Sequence, residues 1–310
     1  MVALLNLPVK ISAKDDVNGV FYMNISIITA SFPVDQETLA EVKELCALTS
    51  AVDGCHYEAV LNIEAASMYG VTGFFVLAYD DEANQLVGVG SAIDMIGLHT
   101  YEWSIIVAPM YRRVGIGGAL VSVVQEGLDQ RGAEGQLGLV ITGAPYGQMF
   151  IEKNGFEYSF SEATLEAGVQ KMLPNPEINI RRFVNEHAEL VEIFSAAFGD
   201  LPDESAELIA YNTSGEGRIL WVARKEEKVV GTVTSFKEGN VQWVTALAVH
   251  PDFEGQGIGS TLLAWVKDYA LRNGEKYVML DVEVENEKAL RVYEKAGFLK
   301  ALQIDYFAKK

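Results

Sequence analysis

The chain contains itself twice. Pro109 and Pro251, Gly115 and Gly257, Gly132 and Gly274, and Gly155 and Gly297 stand at one constant offset, 251 minus 109 giving 142 and each later pair the same. Ile116 with Ile258 and Leu120 with Leu262 keep that register, as do the Glu-Lys-x-Gly-Phe endings at 152–156 and 294–298. An interval this long exceeds any solenoid period, so it marks a duplicated domain. With 310 residues and 49% hydrophobic content, each copy has an ordinary domain's length and enough apolar side chains for its own core. The join is expected at 171–177, where Pro174 and Pro176 forbid a continuous helix. The expected domains are residues 1–172 and 177–310.

Both copies read in the same order. In the first, 21–30 has strand character, and 35–48 has helical spacing with Asp35 as N-cap. Residues 73–79 and 86–93 form a hairpin around a turn at 80–84, and 101–107 is a strand that enters a turn at Pro109 before the helical run 119–128. The second copy gives a strand at 178–183, a helix at 186–198, a hairpin at 219–236, a strand at 241–249, Pro251, a glycine loop and a helix at 262–271. Hairpins alternating with helices predict an α/β (α+β) fold, a mixed sheet covered by helices.

The loop of the second copy places Gly255, Gly257 and Gly259 between an apolar strand and a helix start. Such glycines let bare backbone N–H groups approach an anion, and the helix N-terminus adds donors and partial positive charge. The same glycines equally serve a tight strand-to-helix turn that binds nothing. Downstream, 278–284 alternates as a strand, Asn286 occupies an N-cap position, and Gly297 closes the following helix. Ala289, Val292, Tyr293 and Ala296 share one face of that helix, which turns Tyr293 toward the sheet.

Gly255, Gln256, Gly257, Ile258 and Gly259, with Asn286 and Tyr293 downstream and Gly297-Phe298 closing, resemble the GCN5-related N-acetyltransferase (GNAT) superfamily in a tandem arrangement. The resemblance covers both halves and implies two GNAT-like domains, each with a mixed, largely antiparallel central sheet. Members bind acetyl-CoA with a Q/R-x-x-G-x-G/A loop. It implies that Gln256, Gly257, Ile258, Gly259 and Ser260 present amides to the CoA pyrophosphate. Leu247, Ala248 and Val249 would pair with the pantetheine arm as an added strand, one amide polarising the thioester carbonyl. Asn286 would contact the cofactor arm and Tyr293 would protonate the departing thiolate. One departure is Glu254, which stands where the family has Gln or Arg and would repel a pyrophosphate unless turned to solvent.

In the first copy Arg112, Arg113, Val114, Gly115, Ile116 and Gly117 match the loop in full, and Ile106, Val107 and Ala108 match the pantetheine strand. Ile151 and Ala144, however, stand where the second copy has Tyr293 and Asn286. This half is expected to bind acyl-CoA and catalyse poorly, unless Tyr146 or Tyr158 supplies an unorthodox acid.

The second half contains no cysteine, which excludes a thiol relay there and leaves direct attack by an amine. Glu283, Glu285 and His250 are the candidate bases, with Glu283 and Tyr293 taken as the catalytic residues. The balance of 43 acidic against 24 basic residues, net −19, argues against nucleic acid and suits a cationic partner. Cys46 and Cys55 make neither a disulfide framework nor a metal site, and point to a reducing, cytoplasmic setting. No run approaches the apolar length of a membrane span. The expected activity is transfer of an acetyl group from acetyl-CoA to a primary amine of a small molecule or peptide, by a monomer or homodimer. The competing expectations are catalysis in the first copy and a non-catalytic acyl-CoA sensor.

Overall fold

The computed structural model describes residues 7–15, 19–95, 97–173, 175–215 and 217–310, with side chains from residue 23 onward. Pro174 of the expected linker and the first six residues lie outside that set. The chain forms two compact units, Met1–Ser161 with Ile304–Lys310, and Glu162–Gln303.

Unit 1 runs β1 (Leu7–Asp15), β2 (Gly19–Ser31), α1 (Gln36–Asp53), α2 (Glu58–Leu61), β3 (Thr72–Asp80), β4 (Gln85–Asp94), β5 (Thr100–Val107), α3 (Ile116–Gln130), β6 (Gly135–Ile141), α4 (Gly147–Lys153) and the start of β7 (Phe156–Gly168). Asp35 caps α1 as the sequence predicts, its Oδ1 accepting the N–H of Thr38 at 2.8 Å. Strands β1 to β5 are successively antiparallel, and β6 adds parallel to β5. One core packs α3 against the sheet through Leu120, Val124 and Leu128, with Phe74, Trp103, Ile151 and Phe156.

Unit 2 continues with β8 (Ile178–Arg182), α5 (His187–Phe198), α6 (Pro202–Ser214), β9 (Ile219–Lys225), β10 (Lys228–Glu238), β11 (Val241–Val249), α7 (Ile258–Arg272), β12 (Tyr277–Glu283), α8 (Glu287–Lys295) and β13 (Leu299–Lys309). Leu262, Leu263 and Val266 of α7 meet Val244, Leu280 and Val282 on one sheet face. Leu190, Ile193 and Phe194 of α5 cover Leu220, Val222 and Ala248 on the other.

The units divide differently from the expected 1–172 and 177–310. Residues 162–168 of β7 pair antiparallel with β12 in unit 2, and residues 304–308 of β13 pair antiparallel with β6 in unit 1. Each sheet is thus completed by a strand from the other half of the sequence. The reason lies in side-chain alternation. Ala163, Leu165 and Ala167 belong to the unit 2 core, while Phe156 at the start of the same strand belongs to that of unit 1.

Candidate functional site

In each unit the parallel strand pair opens into a split beside the glycine loop. β5 and β6 pair over 100–103 with 135–138 and then part, although both strands continue. β11 and β12 pair at Gln242 with Val278 and Trp243 with Met279, and then part in the same way.

The two splits differ by one residue. In unit 2, Thr232 faces Ala248 and Thr234 faces Thr245, so Ala246 and Leu247 oppose Val233 alone. Ala246 takes φ 48, the left-handed conformation of a bulge. In unit 1, Val89, Gly90 and Ser91 face Ile106, Ile105 and Ser104 without interruption. The extra residue is visible in the numbering: Tyr101 pairs with Gln136 and Gln242 with Val278, offsets of 141 (242 minus 101) and 142 (278 minus 136). A bulge releases backbone groups from the ladder, here at the mouth of the split.

The unit 2 loop has the backbone its glycines predict. Gly255 and Gly257 have φ 71 and 79, and a Cβ built on either meets nothing within 4 Å, so the loop's outer side is open. The first helical bond runs from Thr261 N–H to the Gly257 carbonyl, leaving the N–H groups of Ile258, Gly259 and Ser260 ahead of it. Glu254 is not an unbalanced charge beside this loop. Lys288, in the first turn of α8, holds its Oε1 at 2.6 Å. Gln256 accepts from Lys225 Nζ at 3.3 Å. Leu247 and Val249 lie partly buried against the core and Ala248 is buried.

Tyr293 is buried in the unit 2 core with Val244, Ile258, Leu280 and Val282, its ring edge-on to Phe298 at 6.1 Å. Among the described residues no side chain hydrogen-bonds its hydroxyl, and burial pushes its pKa above that of an ordinary phenol. Asn286 caps α8, accepting the Ala289 N–H at 3.0 Å. Of the candidate bases, His250 has its Nδ1 occupied by the Asp252 N–H at 3.2 Å and its Nε2 3.7 Å from Glu192. Glu283 is exposed at the end of β12, and Glu285 lies in the turn before α8.

Unit 1 has a cavity of about 560 Å³, lined by the parted ends of β5 and β6, the loop with Arg112, Arg113, Gly115 and Gly117, and α4. Ile106 and Val107 line it, while Val114 and Ile116 pack into the core beneath. Ile151 fills the place of Tyr293, and a Cβ on Gly138 would lie 2.3 Å from it. The cation expected at the loop is otherwise engaged. Arg112 forks onto Asp53 with contacts of 2.9 and 2.5 Å and donates from Nε to the Val107 carbonyl at 2.9 Å. Tyr57 also donates to Asp53, at 2.8 Å. The Arg112 hydrogen bond is the main cause that holds the Asp53 carboxyl below its usual pKa, against the opposing effect of burial. Arg113, exposed with φ 66, lies 5.8 Å from the Tyr146 ring and is the loop cation that faces outward. Tyr146 lines the cavity, whereas Tyr158 bonds Ser161 at 3.0 Å.

The cysteines add no nucleophile. Cys46 and Cys55 are unpaired and buried, and burial pushes the Cys46 thiol up to about 11. Among the described residues no His, Cys, Asp and Glu group suits a metal, and no helix is long and apolar enough to cross a membrane. The sequence reading missed the partners that lie far apart along the chain: Lys288 for Glu254, Asp53 for Arg112, and Asp281. Asp281 sits on β12 and accepts the Thr164 hydroxyl at 2.6 Å, and burial raises its pKa against that bond.

Known proteins match over both halves. The model of the acetyltransferase (GNAT) family matches residues 187–298, and that of the acetyltransferase (GNAT) domain matches 71–158. A mycothiol acetyltransferase of Rhodococcus jostii (strain RHA1) is 27% identical over 302 residues, covering 89% of this chain and 96% of its own. That of Rhodococcus opacus (strain B4) is 26% identical over 312 residues, with the same coverage of 89% and 96%. Among solved structures, a GCN5-related N-acetyltransferase from Sphaerobacter thermophilus superposes with TM-score 0.72 at 18% identity, over 91% of this chain and 95% of its own. A tandem GNAT protein from the clavulanic acid biosynthesis pathway gives 0.64 at 15% identity, over 91% and 98%.

Proposed function

The chain is an acyltransferase of the GNAT family with two tandem domains, and from that premise we propose that it moves an acetyl group from acetyl-CoA to a primary amine of a small molecule or peptide, with the chemistry in unit 2. The observation that carries the assignment is the setting of Tyr293, a buried tyrosine behind the β11–β12 split whose counterpart in unit 1 is Ile151. The relatives named as mycothiol acetyltransferases favour a small-molecule acceptor.

The donor fits the residues present. The open glycine loop offers the amides of Gly257, Ile258, Gly259 and Ser260 to a pyrophosphate. The ion pair with Lys288 offsets part of the repulsion expected from Glu254. Bound there, acetyl-CoA supplies an activated acyl group. Leu247, Ala248 and Val249 would hold its arm, and a backbone amide at the Ala246 bulge would supply partial positive charge to the acyl oxygen. Tyr293 keeps its proton across the working pH range, because burial raises its pKa. Even an unshifted phenol near 10 giving its proton to a thiolate whose thiol has a pKa near 8.5 goes uphill by about 2 kcal/mol, so Tyr293 donates a hydrogen bond first and completes transfer late. The cavity of unit 1 favours a second donor-binding role there, with Arg113 as the outward cation and Ile151 in the place of Tyr293. Two unpaired cysteines suit the cytoplasm.

A screen of amines for acetyl-CoA-dependent release of CoA tests the activity. Tyr293→Phe is expected to lower kcat by about 10- to 100-fold while calorimetry gives an unchanged acetyl-CoA affinity. Unchanged turnover would remove Tyr293 from the mechanism. Gly257→Asp should abolish turnover, and Gly115→Asp should remove at most a second binding isotherm.

A further inference from the structure

We propose that Asp281 is the base that deprotonates the acceptor amine, and that Thr164, on the strand contributed by the first half of the chain, positions it. This rests on the acetyl-transfer reading of unit 2 and adds the group that reading lacks.

The geometry begins with β12. Val278, Leu280 and Val282 face the core that holds Tyr293, so Met279, Asp281 and Glu283 face the other way. Asp281 lies two residues beyond Met279, the last residue that β12 pairs with β11, and therefore at the opening of the split. Asp281 and Tyr293 then stand on opposite faces of the sheet beside the split, so one can serve the entering amine and the other the departing thiolate. On its other side Asp281 is in register with Thr164 of β7, which donates to Oδ1 at 2.6 Å. One carboxylate oxygen is thereby fixed and the second is left for a substrate N–H. The side chain remains open to solvent, yet protein surrounds it closely enough for burial to raise its pKa, while Thr164 pulls the other way. An acceptor can reach such a carboxylate, and the raised pKa makes it a stronger base than a fully solvated one. Glu283 is in register with Glu162 rather than with a hydroxyl donor.

Three further carboxylates share the face: Glu162 and Glu166 from β7, in register with Glu283 and Met279, and Glu283 from β12. β11 brings no titratable side chain. The surrounding negative charge favours approach of the acceptor as an ammonium ion. Asp281 takes one proton from that ion, and the free nitrogen forms the new C–N bond as the C–S bond breaks. Tyr293 gives its proton to the sulfur and recovers one from the second N–H through water. The net products are the amide, the thiol and one released proton.

The test uses the full chain with acetyl-CoA and a panel of spermidine, glucosamine, tyramine and lysine. Asp281→Asn should lower kcat/KM for the amine by about 100-fold or more and leave acetyl-CoA affinity unchanged by calorimetry. Thr164→Val removes the bond that favours the ionised carboxylate and holds it in place, so the acid limb of the kcat/KM profile should move to higher pH and the plateau should fall less than in Asp281→Asn. Without any donor present, carbon NMR of aspartate carboxyls, with the Asp281 signal identified by its loss in Asp281→Asn, should show the same upward movement in Thr164→Val. An Asp281→Asn enzyme with the wild-type rate and acid limb, or a Thr164→Val enzyme with both titrations unmoved, overturns the proposal. A wild-type protein that releases CoA with no amine fails at the acetyl-transfer reading itself, and the base assignment falls with it.

Discussion

At the residue scale, charge pairing decides what each loop offers, and the pairing is hidden from a linear reading. Arg112 matches the family motif at the letter level, but its guanidinium is bound to Asp53, 59 positions upstream, and the exposed Arg113 faces outward instead. Glu254 looks like a defect until Lys288 is seen across the loop. Tyr293 and Asn286 were legible, because both follow from helix periodicity and capping. Asp281 was not, since its surroundings depend on which strand lies beside β12. The Asp53 pair carries a stability prediction. Asp53 is nearly buried and Arg112 about one-fifth exposed, so Asp53→Asn should cost about 2–3 kcal/mol, below the range for a fully buried pair. The carboxyl's folded pKa is depressed, so its contribution is full above the unfolded value near 3.9 and is lost as pH falls through the folded value. Urea unfolding of wild type and variant should therefore differ most near pH 7 and converge in strong acid. A constant gap across that range would assign the loss to packing.

At the element scale, the copies share order and differ in detail that the sequence conceals. Apolar alternation marks strand 241–249 over its observed extent, and the cap marks the start of helix 35–48, which runs on to Asp53 where no stop signal stands in the sequence before Gly54. The bulge in β11 was invisible, since the common offset of 142 was read from landmarks that follow the bulge. Upstream the offset is 141 (242 minus 101), and only the pairing with Gln136 and Val278 reveals it. The bulge distinguishes β11, which breaks register with β10 beside its split, from β5, which keeps register with β4 beside its own. Ala246 occupies left-handed space at φ 48, which a β-branched residue tolerates poorly. Ala246→Val should cost roughly 1–2 kcal/mol in thermal or urea unfolding and depress kcat beyond what lost folded protein explains. Equal stability with equal turnover would mean that the bulge has no part in presenting the acyl oxygen's donor.

At the scale of the whole molecule, the duplication was legible and the division into units was not. Two prolines near 174 mark where the chain leaves one repeat for the next, but β7 has by then already joined the sheet of unit 2, and the end of β13 completes that of unit 1. Alternation along 156–168 identifies a strand without naming its neighbour, because a period of two is satisfied by any sheet with an apolar face. Ala163, Leu165 and Ala167 tie the first half of the sequence to the second half's core, and Phe307 does the reverse. A fragment cut at the sequence repeat, residues 177–310, therefore lacks the strand that pairs with β12 and the three core side chains it brings. Losing seven paired residues and that apolar surface costs on the order of 5 kcal/mol, comparable to the whole stability of a domain. The fragments 1–172 and 177–310 should each unfold without a cooperative transition when expressed alone, and recover one when co-expressed and purified together. Residues 162–303, cut at the compact boundary, should fold better than 177–310 despite sharing its core helices. A sharp, reversible melt of isolated 177–310 would show that β7 is dispensable to the folding of unit 2.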